Sequence, residues 1–267
     1  MRGRDHPIHE NERSVGSTHV LAFFDVLGFS DRLAELGLDT ILAVYRELAT
    51  MLDQLKEPGA FAFWVPTDFD GDVEAQIERA SRNESTRWAP AASSWAPGVA
   101  YFSDTILLWM PYHPVACGAF IDLSINVFCR ALSLRLPLRG ALAIGELYMD
   151  TSRGIFLGAP IVEGAQAESA QRWCGFSLGP SFKEYPCIVP GDRFLDHADH
   201  VKPGRTEHVL SVGVDWTWHW RAEYPEFPLD AVAAWFPLAG THPYWATTLS
   251  FAESSAARRP TGLNIYA

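Results

Sequence analysis

Apolar residues in this chain fall into two patterns, unbroken runs of strand length and longer stretches in which they recur every three or four positions. The run "VLAFFDV", residues 20–26, is of the first kind and carries one carboxylate, Asp25, near its end. Across residues 31–56, Leu33, Leu36, Ile41, Val44, Leu48, Met51, Leu52 and Leu55 keep helical spacing, and the Gly28-Phe29-Ser30 turn separates the two patterns. "VAYFSDTILLWM" reads as two short strands meeting near Ser103-Asp104. "PVACGAFIDLSINVFCRALSL" follows with apolar positions nearly all round, the pattern of a buried helix. "LPLRGALAIGELYMD" and "GIFLGAP" form a further pair of strands, and "IVEGAQAESAQRW" a third helix. The predicted order is β-α-β-β-α-β-β-α, an α+β chain with helices covering an antiparallel-rich sheet of ferredoxin-like type.

Three regions stand outside that order. Residues 1–18 form a polar leader ahead of a core domain at 19–200. Residues 57–98 form a long insertion in which prolines, serines and scattered tryptophans break any single period, with one short helix near 73–82. Residues 201–267 form a Trp- and Pro-rich C-terminal extension packed on the same domain, covering a sheet edge or joining an oligomer contact. It reads as a strand and a helix, "PLDAVAAWF" being the helix, and the tryptophans of "WTWHW" alternate as packing residues of a strand.

With 267 residues, 48% of them hydrophobic, the chain can close a substantial core. Its net charge of −11 excludes a protein that grips nucleic acid mainly through phosphates, while an anionic nucleotide can still bind where metal ions bridge it to carboxylates. The leader lacks an apolar signal stretch and no later segment reads as a membrane span, so a soluble, cytoplasmic protein without membrane insertion is expected. Cys117, Cys129, Cys174 and Cys187 show no CxxC spacing and sit in apolar surroundings, which predicts reduced core thiols.

The candidate chemistry lies at Asp25 and Asp104, each beside a strand end or hairpin with apolar neighbours. A buried carboxylate needs a cation, an ion-pair partner or backbone amides. Two hard divalent ions, Mn2+ or Mg2+, meet that need and suit phosphoryl transfer. Gly28, Phe29 and Ser30 offer a phosphate seat, since glycine admits close approach and amides opening a helix point at an anion. The plainer alternative is that Asp25 caps the following turn and Asp104 stabilises its hairpin. The acidic loops at 68–72 and 196–200 read as solvated loops, because the first lacks the glycine and glutamate of a calcium loop.

"AFFDVLGFS", "YFSDTILLW", "LRGALAIGELYM" and "IFLGAPIVEGAQAES" resemble, in order and approximate spacing, the motifs of class III nucleotidyl cyclases, over roughly residues 20–169. The resemblance implies that Asp25 and Asp104 hold two divalent cations, with the Val26 carbonyl as a further ligand. It implies attack of a ribose 3′-oxygen on the α-phosphate of the same nucleoside triphosphate, with release of pyrophosphate. It also implies a homodimer with active sites at the interface. The chain departs from the purine cyclases at two places. Their Asn and Arg pair falls on Val162 and Gln166, or on Glu163 and Ala167 in the neighbouring register. Their polar base readers fall on Ala100 and near Ile155. Both departures resemble the Pycsar cyclases of bacterial anti-phage systems, which make cyclic CMP or cyclic UMP.

The expected protein is thus a metal-dependent pyrimidine nucleotide cyclase, its product read by a separate effector. Asp25 and Asp104 are the catalytic metal ligands. Gly28, Phe29, Ser30 and Arg139 would bind phosphate, and Arg139 reads equally as a surface ion pair. Ala100, Phe102, Tyr101 and Ile155 would shape a shallow base pocket, with Phe102 ahead of Tyr101 by strand alternation. Glu163 and Gln166 are the ribose or transition-state candidates. The rival is a catalytically silent nucleotide-binding or dimerisation module.

Overall fold

The computed structural model describes residues 17–54, 64–66, 75, 88–90, 97–114, 116–185, 187–189, 194–196, 201–202, 204, 212–236, 243–257 and 264–266. Nearly all of the leader, most of the insertion with its predicted helix at 73–82, the acidic loop at 68–72 and residues 197–200 lie outside the described residues.

The chain is a mixed α+β protein built on a mostly antiparallel sheet. Strand β1 (Ser17–Val26) is an inner strand of it, followed by helices α1 (Phe29–Leu36) and α2 (Leu38–Gln54) and a small ribbon, β2 (Trp64–Pro66) with β3 (Trp88–Pro90). The hairpin of β4 (Gly98–Phe102) and β5 (Thr105–Pro111) leads to helix α3 (Ala116–Ser133). Next come the long strand β6 (Leu138–Asp150), β7 (Ile155–Gly158), helix α4 (Ala159–Ala170) and β8 (Gly175–Leu178). The C-terminal part supplies β9 (Cys187–Val189), β10 (Phe194–Asp196), β11 (Val212–Val214), α5 (Thr217–Glu223), α6 (Leu229–Ala233), α7 (Pro243–Ala256) and β12 (Asn264–Tyr266). The main sheet runs β10-β11-β8-β6-β1-β5-β4, with β7 paired to β6 and the β6–β8 pair parallel. β12 pairs with β9 in a separate ribbon.

Alternation along β1 sends its side chains to two different layers. Val20, Ala22, Phe24 and Val26 face the main core with α2 and α3. Leu21 and Phe23 face the other side, against Leu107, Leu147, Trp109 and Ile161, and Asp25 continues that row. Helix α4 closes on this second face because Gly164 has no side chain: a Cβ there would lie 2.6 Å from the Cβ of Phe23.

The predicted order of strands and helices through α4 is observed, with local corrections. The helix expected over 31–56 is two helices, because Gly37 takes φ +76° and its N–H closes α1 on the Leu33 carbonyl. The third helix opens at Ala159 with Pro160 in its first turn, where a missing N–H costs nothing. "WTWHW" is not a strand: α5 begins at Thr217, and Trp216 and Trp220, four positions apart, both enter the core. "PLDAVAAWF" does contain a short helix, α6. The extension does cover the edge of β8, since its strand β11 pairs there.

The cysteine expectation is overturned in part. Cys117 and Cys187 form a disulfide, with Cα atoms 5.7 Å apart, while Cys129 and Cys174 are free and buried. The bridge joins the first turn of α3 to β9, elements that only the fold brings together, so sequence spacing carries no sign of it. The membrane expectation also needs a correction, because α3 is long and apolar enough to cross a bilayer by length and composition. It serves instead as a core helix, with 72% of that window buried.

Candidate active site

β1 ends beside two other strand ends, and this creates the site. Asp25 stands opposite Thr105 at the start of β5 and opposite Arg139 at the start of β6. The two-residue turn Ser103-Asp104 joins β4 to β5, and Ser103 takes the left-handed backbone, φ +54°, that such a tight hairpin demands. The Val26 N–H donates to the Asp104 carbonyl at 2.9 Å, locking the hairpin tip to the end of β1. Asp25 and Asp104 are therefore neighbours, as the two-acid reading requires.

Two further charged groups complete the cluster. Arg139 faces Asp25, its Nη2 lying 3.6 Å from Oδ2, and its Nε forms an ion pair with Glu168 of α4. Arg139 Nη1 also donates to the Tyr244 hydroxyl at 3.3 Å and to the Gln171 carbonyl at 3.5 Å. Two carboxylates, Asp25 and Glu168, thus flank one guanidinium. Burial first, then the negative charges of Glu168 and Asp104, push Asp25 up to about 6 against the pull of Arg139. Burial likewise raises Glu168, with Arg139 opposing it. Burial and both aspartates hold the Tyr45 hydroxyl well above the ordinary tyrosine range. It remains a donor, bonded to the Ser103 carbonyl at 2.9 Å.

Gly28 adopts φ +70° at the N-cap of α1, so the glycine is needed for the turn itself. Asp31 occupies the first turn of the same helix, complementing the amides that also form the expected phosphate seat. An apolar groove of about 580 Å3 adjoins this corner, between α1, α2 and the hairpin, lined among others by Phe29, Leu38, Leu42, Tyr45 and Tyr101.

The base-pocket candidates divide by face. The β4–β5 register is continuous, so Tyr101 turns to the core side, against Tyr45 at 5.9 Å between ring centroids. Ala100 packs with Leu21, Leu107 and Trp109 on the other side. Phe102, 39% exposed, meets Phe156 edge-on at 4.8 Å, which places β7 with its exposed Ile155 beside the hairpin. The two ribose candidates also separate. Gln166 is exposed, whereas Glu163 accepts from the N–H and hydroxyl of Ser181 at 3.0 and 2.7 Å. Val162, on the purine-pair register with Gln166, is 58% exposed.

Sequence reasoning missed Glu168, Tyr45 and Tyr244. Glu168 carried a usable signal: it lies four residues after Gly164 and one after Ala167, on the small-residue face that packs, where an acid demands a cation. Tyr45 looked like one more apolar position of α2, and Tyr244 lies far from every motif in the chain.

No group of three or more Asp, Glu, His or Cys side chains among the described residues converges as a metal cage. The donor set still fits a hard divalent cation, because a cation would offset both the burial and the neighbouring negative charge that raise Asp25. Magnesium-like ions are commonly held by one or two carboxylates together with substrate phosphates. Compared with protein-family models and with curated proteins, the chain matches none.

Proposed function

We propose that this chain is a metal-dependent nucleotidyl cyclase of class III type that converts a pyrimidine nucleoside triphosphate, UTP or CTP, to its 3′,5′-cyclic monophosphate. The observation that carries the reading is the convergence of Asp25, Asp104 and Arg139 at three adjoining strand ends, over the turn that opens α1. The ferredoxin-like cyclase fold, the homodimer, the anti-phage setting and a separate cyclic-nucleotide effector belong to the same proposal and rest on the resemblance.

Asp25 and Asp104 would hold two Mn2+ or Mg2+ ions, with the Val26 carbonyl beside them. When bound, such ions lower the pKa of an attacking hydroxyl and neutralise phosphate charge. The protein's own groups position and balance charge. The α1 amides after Gly28 receive an anionic phosphate, and Arg139 faces the same space with a cation held by Glu168. On the far side, Ala100 offers no polar group to a base edge and Phe102 fills space beside it. A purine would then lose its polar edge contacts, at about 1–3 kcal/mol, or roughly tenfold to a hundredfold in preference.

The silent-module reading has one observation in its favour: Val162 brings no polar side chain to the position where the purine enzymes place their asparagine. A single experiment separates the two. The purified chain is incubated with each of the four ribonucleoside triphosphates and Mn2+, and products are resolved by mass spectrometry. Cyclic UMP or cyclic CMP supports the proposal; a preference for ATP or GTP removes its pyrimidine part, and no cyclic product with any of the four favours the silent module.

A further inference from the structure

Arg139 is held from more sides than a phosphate-binding arginine on a strand requires, and one holder comes from outside the cyclase-like core. Nε pairs with Glu168, Nη2 faces Asp25, and Nη1 reaches both the Gln171 carbonyl and the Tyr244 hydroxyl. The guanidinium carbon also lies 5.8 Å from the centroid of the Tyr244 ring, within cation–π range. Tyr244 belongs to α7, the helix of the C-terminal extension. That helix is pinned to the sheet: the Cys174 N–H donates to the Thr248 hydroxyl at 2.9 Å, and Phe251 packs on Trp173 at 4.4 Å. The Thr248 hydroxyl in turn donates to the Tyr244 carbonyl at 2.8 Å, which fixes the turn of helix carrying the tyrosine.

We propose that Tyr244 is a positioning residue for the phosphate end of the candidate site, acting through Arg139, so that the C-terminal extension completes the site. The inference rests on the cyclase reading for its consequence and on geometry alone for the clamp. A planar guanidinium loses most of its value as a phosphate binder if it rotates. Glu168 holds its Nε side and Asp25 attracts Nη2. A cation arriving at Asp25 would repel Arg139, and Tyr244 with Gln171 anchors Nη1 so that the guanidinium stays in place facing the substrate.

The test uses the full chain and Tyr244→Phe, which keeps the ring and removes only the hydroxyl, with thermal melting to confirm the fold. The Arg139 side-chain signals in 15N–1H NMR are assigned by their loss in Arg139→Lys. Native protein should show separate, slowly exchanging Nη protons, and Tyr244→Phe should average them. With Mn2+ and the preferred triphosphate, KM should rise about fivefold with kcat within about twofold, as expected for loss of one hydrogen bond in ground-state binding. A contact that served only folding would lower kcat through lost enzyme and leave KM unchanged. Native-like Nη signals in Tyr244→Phe, or averaged signals with an unchanged KM, overturn the proposal. Averaged signals in Tyr244→Phe, beside separate signals in a native protein that turns over none of the triphosphates, leave the clamp standing and remove the cyclase reading instead.

Discussion

Val26 donates its N–H to the carbonyl of Asp104 at 2.9 Å, and this bond makes neighbours of two acids that the sequence places on separate motifs. The chain thereby concentrates negative charge at a half-buried corner, an arrangement that works against the fold unless a cation answers it. Sites of this kind are where stability and function oppose each other.

The first prediction follows from Asp25. Its folded pKa, about 6, lies above the ordinary aspartate value of 3.8, so the folded state holds the proton more tightly than the unfolded chain. The stability linked to that proton is full below 3.8 and is lost as pH rises through about 6. In EDTA at pH 7.5, Asp25→Asn should therefore stabilise the protein by about 1–2 kcal/mol, a rise in Tm of a few degrees. The gain should shrink as pH falls from 6 towards 3.8. In Mn2+ the order should reverse, because only the native protein gains from binding the ion. A variant less stable than native at every pH in EDTA would show that the Arg139 pair outweighs the buried charge.

The disulfide gives the second. Iodoacetamide added to denatured, unreduced protein should label Cys129 and Cys174 alone, and all four cysteines only after reduction. Cys187→Ser should cost about 2–4 kcal/mol, measured by urea unfolding in the absence of reductant. Labelling of all four residues without reductant would return the chain to the reduced-thiol reading.

How far the sequence spoke depended on whether a residue's role was local. β1, the β4–β5 hairpin and the buried α3 were legible because hydrophobic period and turn chemistry are local properties, and Asp25 and Asp104 stood out as acids inside such runs. The split of α2 from α1 turned on one left-handed glycine inside an otherwise continuous helical pattern. "WTWHW" satisfied period two and helical period together, and packing of Trp216 and Trp220 decided for the helix. The Cys117–Cys187 bridge and the Tyr244–Arg139 contact are products of long-range closure, which no window of sequence reports.

Glu163 supplies the third prediction. Its Oε1 accepts from both the N–H and the hydroxyl of Ser181, and that hydroxyl accepts in turn from the Ile144 N–H at 2.8 Å. The carboxylate ties α4 to the turn after β8 and to β6, which is a structural task. Glu163→Ala should cost about 1–3 kcal/mol of stability by stranding those donors, while Glu163→Gln, which keeps the acceptor, should cost less. Neither should change KM or the kcat of the folded fraction. A fall in kcat of a hundredfold with unchanged melting would restore Glu163 as a ribose or transition-state group.

The last prediction concerns assembly. An apolar strip wraps β7: Phe102 (39% exposed) and Val162 of α4 (58%) lie on the second face of the sheet, while Ile155 (39%) and Leu157 (61%), opposite Asp150 and Tyr148 of β6, project from the side of β7 away from Phe156. Phe156 joins this strip to the hairpin through its contact with Phe102, and Trp109 lies behind it at 6.1 Å. These side chains lie on β4, β7 and α4, so the strip is a property of the folded core and not of one loose segment. Scattered apolar residues on a surface need no explanation, but a strip across three elements beside a candidate active site marks a contact surface. The proposed homodimer would bury it, bringing Val162 and Gln166 of one copy towards the acids of the other. Leu157→Glu places a charge in the middle of the strip without touching the main core, and an unpaired buried carboxylate costs several kcal/mol. Sedimentation equilibrium should show a dimer for the native chain and a monomer for Leu157→Glu, with melting little changed and cyclase turnover lost. A native protein that is monomeric and active at assay concentration would separate the acid cluster from any shared site and leave the strip to another partner.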